Sequence, residues 1–556
     1  MKKYVAFIII IIICRGKSQA QNQLQINNLA TFTKVWGFLK YYHPEVQKGR
    51  LDWDLEYVKT VLTIKKIDQK KTFNSVIINC YLSLPKAKIS NQYTQLKSDS
   101  ILQIFNEQDF VDMNIPASLK KNLEELYQHH LPDSSKYVDN IYNGYKLDYV
   151  YHKEEPYAAP AFPDEGHRLL ALARWWNIIT YFYPHKAKAA PDWDATLTEF
   201  IPQMIAAANA NEYRETFLRL INKLKDSHTW FKQKEWNAAH GDFMNVPFDV
   251  YYAGGKFVIG YSKYDSLMKA NDLKIGDVIV AVKGLPIAYR LKQVANYTTG
   301  SNNASYYRDL GRNIFRLDSN TNLQITISRN GRLQKKNIKL YTYGQLYQYR
   351  LKHLPQIAQK LGNGIWYVRF CEIGNTTALK KMFNDIKDAK TVIWEMRDYP
   401  SFQITEAMWP GLIAKRVFAS ADYNAVLEFP GTFKKASGQI PSAPDTLGLP
   451  LFNGKLIVLV NEQTQSLAES VAMELRSRPN TVIVGRQTAG ATGNMLFTDF
   501  PGGIEASYTA VKVVGANASF EQGRGVKIDQ KIKLTPANIA STSDYLLSQA
   551  YQMALK

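Results

Sequence analysis

The chain has 556 residues, 46 % of them hydrophobic and 21 % charged, with a formal net charge of +20. This composition excludes a disordered or fibrous chain and leaves room for about three globular domains. Lys and Arg are scattered and form no basic stripe interleaved with aromatics, so the charge does not point to nucleic acid. Three cysteines, Cys14, Cys80 and Cys371, are too few for a disulfide framework, and no Cys/His cluster has metal-ligand spacing. No metal or other cofactor is expected.

In chain order, residues 1–20 read as a signal peptide. Lys2 and Lys3 precede the apolar run 4-YVAFIIIIIIC-14, which is short for a bilayer span, and Ser18-Gln19-Ala20 offers small residues for cleavage. The expectation is export to the periplasm or the outside, with a membrane anchor as the alternative if this segment is not cleaved. No later segment reads as transmembrane.

An internal repeat follows. The stretch 29-LATFTKVWGFLKYYHPEVQKGRLDWD-54 matches 169-LLALARWWNIITYFYPHKAKAAPDWD-194 at a constant offset of 140 residues. Trp36 pairs with Trp176, Pro44 with Pro184, and Asp52-Trp53-Asp54 with Asp192-Trp193-Asp194. Both copies place apolar residues at helical spacing, stop before a proline and restart after Asp-Trp-Asp. Residues 21–164 are expected to hold a degenerate first copy and linker, and 165–245 a second helical domain. Beyond the shared part, Leu82-Ser83-Leu84 falls opposite Asp226-Ser227-His228. Only the second copy carries the histidine.

From 246 to 342 the pattern changes to short strands. Residues 247–261 predict a hairpin turned at Gly254-Gly255, and 323–340 another turned at Asn330-Gly331. Between them, 267-LMKANDLKIGDVIVAVKGLPI-287 resembles the PDZ domains of exported proteases, through Leu273, Gly276, Asp277, Ile279, Val282 and Gly284. That resemblance implies a groove for an extended polypeptide.

Residues 343–556 predict strand–helix units on a largely parallel sheet, with strands at 364–370, 391–396, 455–460 and 481–485. The last element of strand 455-KLIVLV-460 runs into NEQTQSLAE, which puts Ser466 at a strand-end, helix-start junction. There, unpaired N–H groups and the helix dipole favour developing negative charge. Two readings stand side by side: Ser466 as a helix cap with Glu469 completing a capping box, or Ser466 as a nucleophile.

Three motifs weigh on that choice. Val460-Asn461, Ser466 and Ala468-Glu469 come first; Gly485, Thr488 and Gly490 follow; 521-EQGRGVKID-529 lies near the end. Together they resemble the C-terminal-processing (tail-specific) serine proteases and their tricorn-like branch, over roughly residues 165–556. The resemblance implies a multidomain α+β and α/β chain: a helical repeat region, a PDZ-like domain and an α/β protease core of the crotonase-like or ClpP-like type. The lysine base of the tail-specific enzymes would stand at Ala491 and is absent. The tricorn-like pattern implies instead a Ser-His-Ser-Glu tetrad: Ser466 as nucleophile, His228 as base, Ser227 and Glu521 as its orienting partners. Glu521 is set on the family's E-x-x-G-V-x-P-D. An oxyanion hole is implied at the N–H groups of Leu467 and of Ser401 or Phe402, where Ser401-Phe402 replaces the family's paired glycines and Tyr399 its asparagine.

The chemistry is coherent, because a serine hydroxyl needs a base and an unperturbed imidazole titrates at about 6.5. The function expected is an exported serine endopeptidase acting on unfolded or tail-presented polypeptides. The alternatives are a catalytically impaired binding protein for peptide or lipid on the same fold, and another acyl hydrolase. The sequence does not fix an oligomeric state.

Overall fold

The structure, a computed structural model, describes residues 2–90, 98–111, 113–129, 137–142, 147–151, 154–189, 191–239, 244–316, 321–440, 444–541 and 543–556. The chain divides into two compact units. One comprises Met1–Ile221 with Asn424–Lys435 and Leu496–Ala510; the other comprises Asn222–Tyr423, Ala436–Met495 and Val511–Lys556.

The first unit is built on the repeat. Helices α1 (Lys2–Tyr42), α2 (Trp53–Ile64) and α3 (Lys70–Leu82) are followed by α4 (Glu165–Phe182), α5 (Trp193–Ala206) and α6 (Ala210–Ile221). α1 and α4 stop where a proline is coming: Tyr183, the residue before Pro184, is extended at φ −103° and ψ 99°. Asp52 caps α2 by accepting from Leu55 N at 2.9 Å, and Asp164 caps α4 through His167 N at 3.0 Å. The repeated tryptophans explain the Asp-Trp-Asp signature. Trp36 Nε1 donates to Trp53 O at 2.9 Å and Trp53 Nε1 to Trp36 O at 3.1 Å. Trp176 and Trp193 repeat the exchange at 3.0 and 3.1 Å. Each indole thus buries its ring without orphaning its N–H, at a gain of about 1 kcal/mol net per bond.

Two large sheets dominate the second unit. In the first, β1 (Val250–Ala253), β2 (Lys256–Ile259), β3 (Val278–Val282), β4 (Asn322–Arg329) and β5 (Arg332–Lys339) pair antiparallel in the order β5-β4-β3-β2-β1. The hairpin turns fall at Gly254-Gly255 and Asn330-Gly331, all four residues with positive φ, as two-residue turns matched to strand twist require. Helices α7 (Ile287–Ala295) and α8 (Asn303–Asn313) pack on it, over a core that includes Phe248, Ile259, Val282, Ile325 and Ile338.

The second sheet runs β6 (Ala358–Gly362), β7 (Ile365–Val368), β8 (Thr391–Glu395), β9 (Lys455–Val460), β10 (Thr481–Gly485) and β11 (Gln530–Lys531), in that order. β6 is antiparallel to β7, and every other pair is parallel. Both faces are buried, as the unbroken apolar strands predict. Val392, Trp394, Leu456, Val458 and Val460 face one core, while Ile393, Ile457, Leu459 and Val484 face the other. Gly485 ends β10 beside Val460: a Cβ there would lie 1.9 Å from Val460 O, so only glycine lets the strands stay paired to their ends. Helix α9 (Phe402–Met408) follows β8, and α10 (Leu467–Leu475) follows β9. Among the described residues no helix is long and apolar enough to cross a membrane.

Candidate active site

β9 delivers the chain to a tight turn before α10. Thr464 holds that turn from inside: its hydroxyl donates to Met396 O at 2.8 Å and accepts from Asn461 N at 3.1 Å. Ser466 then takes φ 57° and ψ −123°, a conformation costly for a residue with a side chain and found mostly where function requires it. Its N–H is tied to Ala491 O at 2.8 Å, and its carbonyl accepts from Glu469 N, Ser470 N and Thr492 Oγ1 at 2.8, 3.0 and 3.1 Å.

The helix-cap reading fails on this geometry. Ser466 makes no side-chain capping bond. No capping box closes either: the Ser466 N–H is among the donors to the Glu469 carboxylate, but the Ser466 side-chain oxygen accepts no capping bond in return. Fully buried, the Glu469 carboxylate accepts from Gly490 N at 2.7 Å, from Ala491 N at 2.9 Å and from the Thr488 hydroxyl. Burial pushes this carboxyl up to about 7 even though those donors pull the other way. Glu469 therefore fixes the 488–491 loop, and that loop in turn fixes Ser466.

The histidine comes from the other side of the unit. His228 is 1 % exposed and sits in a turn closed by Thr229 N donating to Asp226 O at 2.9 Å. Its own N–H donates to Asp226 Oδ1 at 2.9 Å. Burial lowers its pKa below the ordinary histidine value, Arg308 lowers it further, and the Asp226 charge opposes both. Burial thus favours the neutral form of this imidazole. Ser466 and His228 line one cavity of about 520 Å³.

The remaining expected residues are placed differently. The Ser227 oxygen accepts from Ser301 N at 2.9 Å while Ser227 N donates to Ser301 Oγ at 2.8 Å. This reciprocal pair anchors the histidine turn. Glu521 is half exposed with Arg524 Nη1 at 3.7 Å, and the cavity is not lined by it. The reason is register: counting back three from Gly525 in E-x-x-G-V puts the glutamate position at 522, which is Gln522. Gln522 is buried, with Nε2 3.5 Å from Asp226 Oδ1. Tyr399 lines the cavity, whereas Leu467, Ser401 and Phe402 do not; Leu467 and Phe402 open α10 and α9. Ala491, where a tail-specific enzyme carries lysine, is fully buried.

Three contributors, Ser301, Asn302 and Gln465, were not expected from the sequence. Ser301 holds the histidine turn, and Asn302 Nδ2 donates to Thr488 O and Ala489 O at 2.9 and 3.0 Å, joining that turn to the nucleophile loop. Gln465 Nε2 closes the circle on Ser227 O at 3.1 Å. The sequence sign was the Gly300-Ser301-Asn302 run before an amphipathic helix, where Asn302 also forms a capping box with Ser305.

Comparisons with known proteins bear on the fold of this region. Residues 369–532 match the model of peptidase family S41. No curated protein matches the chain. Among solved structures, mature CPAF complexed with lactacystin is 14 % identical with a TM-score of 0.51, covering 70 % of this chain and 98 % of that one. Mature CPAF alone is 14 % identical with a TM-score of 0.52, covering 70 % and 96 %. The photosystem II D1 C-terminal processing protease is 15 % identical, with a TM-score of 0.42 over 68 % and 99 %. Residues 369–532 thus carry a serine-type peptidase domain of family S41.

Proposed function

We propose that Ser466 is the nucleophile of this peptidase and His228 its general base. The observation that carries the reading is the strained, non-capping Ser466 opening one cavity with a buried, pKa-lowered histidine. Ser466 Oγ attacks the scissile carbonyl carbon as its proton passes to His228. The imidazolium returns that proton to the departing amine, and water then cleaves the acyl-serine. Leu467 N–H, one residue on at the start of α10, is the donor offered to the oxyanion, with Ser401 or Phe402 N–H as its partner. The antiparallel sheet at 250–339 is proposed as a PDZ-like module presenting polypeptide tails, and residues 1–20 as an export signal. The core keeps the proposed crotonase-like or ClpP-like character.

The test is a fluorophosphonate probe followed by mapping of the labelled residue. Labelling at Ser466, abolished in Ser466→Ala with an unchanged melting profile, supports the reading. A wild-type protein that is not labelled there would favour a binding protein on the same fold. Tyr399, projecting into the cavity at 59 % exposure, is the observation that keeps that second reading open.

A further inference from the structure

A serine–histidine pair is slow unless something stabilises the imidazolium formed as the serine proton leaves. In this chain the motif position for a glutamate is occupied by neutral Gln522, and Glu521 is turned to the surface. A carboxylate nevertheless stands beside the base. Asp226 is fully buried two residues before His228, accepts the His228 backbone N–H at 2.9 Å, and lies 3.5 Å from the Gln522 amide. Buried carboxylates are retained where their charge is used or compensated.

We propose that Asp226 is the positioning carboxylate of this site, stabilising the His228 imidazolium from the N-terminal side of the base in place of a glutamate from the 521–529 segment. The inference rests on His228 being the base. Other charges around the cavity do not substitute for it. Asp249 and Asp398 also line the cavity, and Asp398 is held by Lys263 and Arg350. Arg308 and Arg312 are cations bound to Asp309, and Arg308 disfavours a charged imidazole. Asp226 acts on the ring in the favourable direction.

A structural role and a charge role separate cleanly. Asparagine keeps the oxygen that accepts the His228 N–H, so Asp226→Asn preserves the turn and removes only the charge. The readout is the rate of Ser466 labelling by the fluorophosphonate probe in the full-length protein, measured against pH, with a thermal melt for each variant. The plateau rate in Asp226→Asn should fall on the order of a hundredfold or more. The rising limb should move to lower pH, because the remaining influences on His228 both disfavour its charged form. Adding Gln522→Glu to Asp226→Asn restores a carboxylate on the same side, and should return part of the rate and move the limb back up. Wild-type rate and limb in Asp226→Asn overturn the proposal. So does a loss of rate with an unmoved limb that Gln522→Glu does not repair. If His228→Ala instead labels as fast as wild type, it is the base assignment that fails, a result distinct from either.

Discussion

The two copies of the helical unit share a scaffold and differ in what they do with it. Their reciprocal tryptophan bonds are the same, and so is the ion pair each lends the other: Lys34 meets Asp194, and Arg174, its counterpart at an offset of 140, meets Asp54. At another equivalent pair the copies touch, and symmetry breaks. Asn177 donates to Thr33 O at 3.1 Å and needs Gly37 opposite it, since a Cβ on Gly37 would lie 1.9 Å from the Asn177 oxygen. The larger difference is at the exit: the first copy runs on as Leu82-Ser83-Leu84, the second as Asp226-Ser227-His228. On the proposed reading, a scaffold held in the same way in both copies carries chemistry in the connection after one copy only.

The sharpest way to break that comparison is to give the second exit the first one's residue. His228→Leu should lower the Ser466 labelling rate by about a thousandfold or more, as expected when one member of a nucleophile–base unit is lost, with the helices still folded by circular dichroism. Labelling near the wild-type rate would mean that the asymmetry of the copies has no catalytic meaning.

The next effect tests the shared ion pairs. Around Arg174 the pair has become a closed, neutral cluster: Asp54 and Glu154 against Lys40 and Arg174, all with side chains at most 6 % exposed. Burial raises and the two cations lower the Asp54 pKa, and the cations win. Asp54→Asn leaves two buried cations facing one carboxylate and should cost about 3 kcal/mol, read as an earlier unfolding transition of the full chain in denaturant. A loss below about 1 kcal/mol would show that the cluster is solvated and not part of the core.

Much of this was legible in the sequence, because it is periodic or local. The four parallel strands, both hairpin turns and the stop before each proline follow from apolar runs, glycine and proline, and the Ser466 and His228 positions from motifs that are short and contiguous. What was not legible depends on contacts between distant segments. Asn302 reaches Thr488 across 186 residues, and Ser227 gives its oxygen to Ser301 across 74. No periodicity announces such pairs. The glutamate position shows another limit. Glu521 ends a two-residue strand with its side chain half exposed, and Gln522 opens the turn after it and is buried, so a one-residue difference in register separates the buried position from the surface.

The smallest effect sharpens the comparison from the other end. Lys34–Asp194 occupies the position equivalent to Arg174–Asp54, at 2.7 Å, but Asp194 is 62 % exposed. Water screens an exposed ion pair, and holding two long side chains together offsets much of the Coulomb gain. Asp194→Asn should therefore cost no more than about 1 kcal/mol, and less at high salt, although it removes the same carboxylate from the same place in the repeat. Measuring Asp54→Asn and Asp194→Asn side by side, at low and high ionic strength, isolates burial as the variable. Equal losses would mean that the pairs act through the geometry of the repeat and not through their surroundings. A large, salt-insensitive loss at Asp54 beside a small, salt-sensitive one at Asp194 would show that the two copies, alike in sequence, have divided the work of holding the unit together unequally.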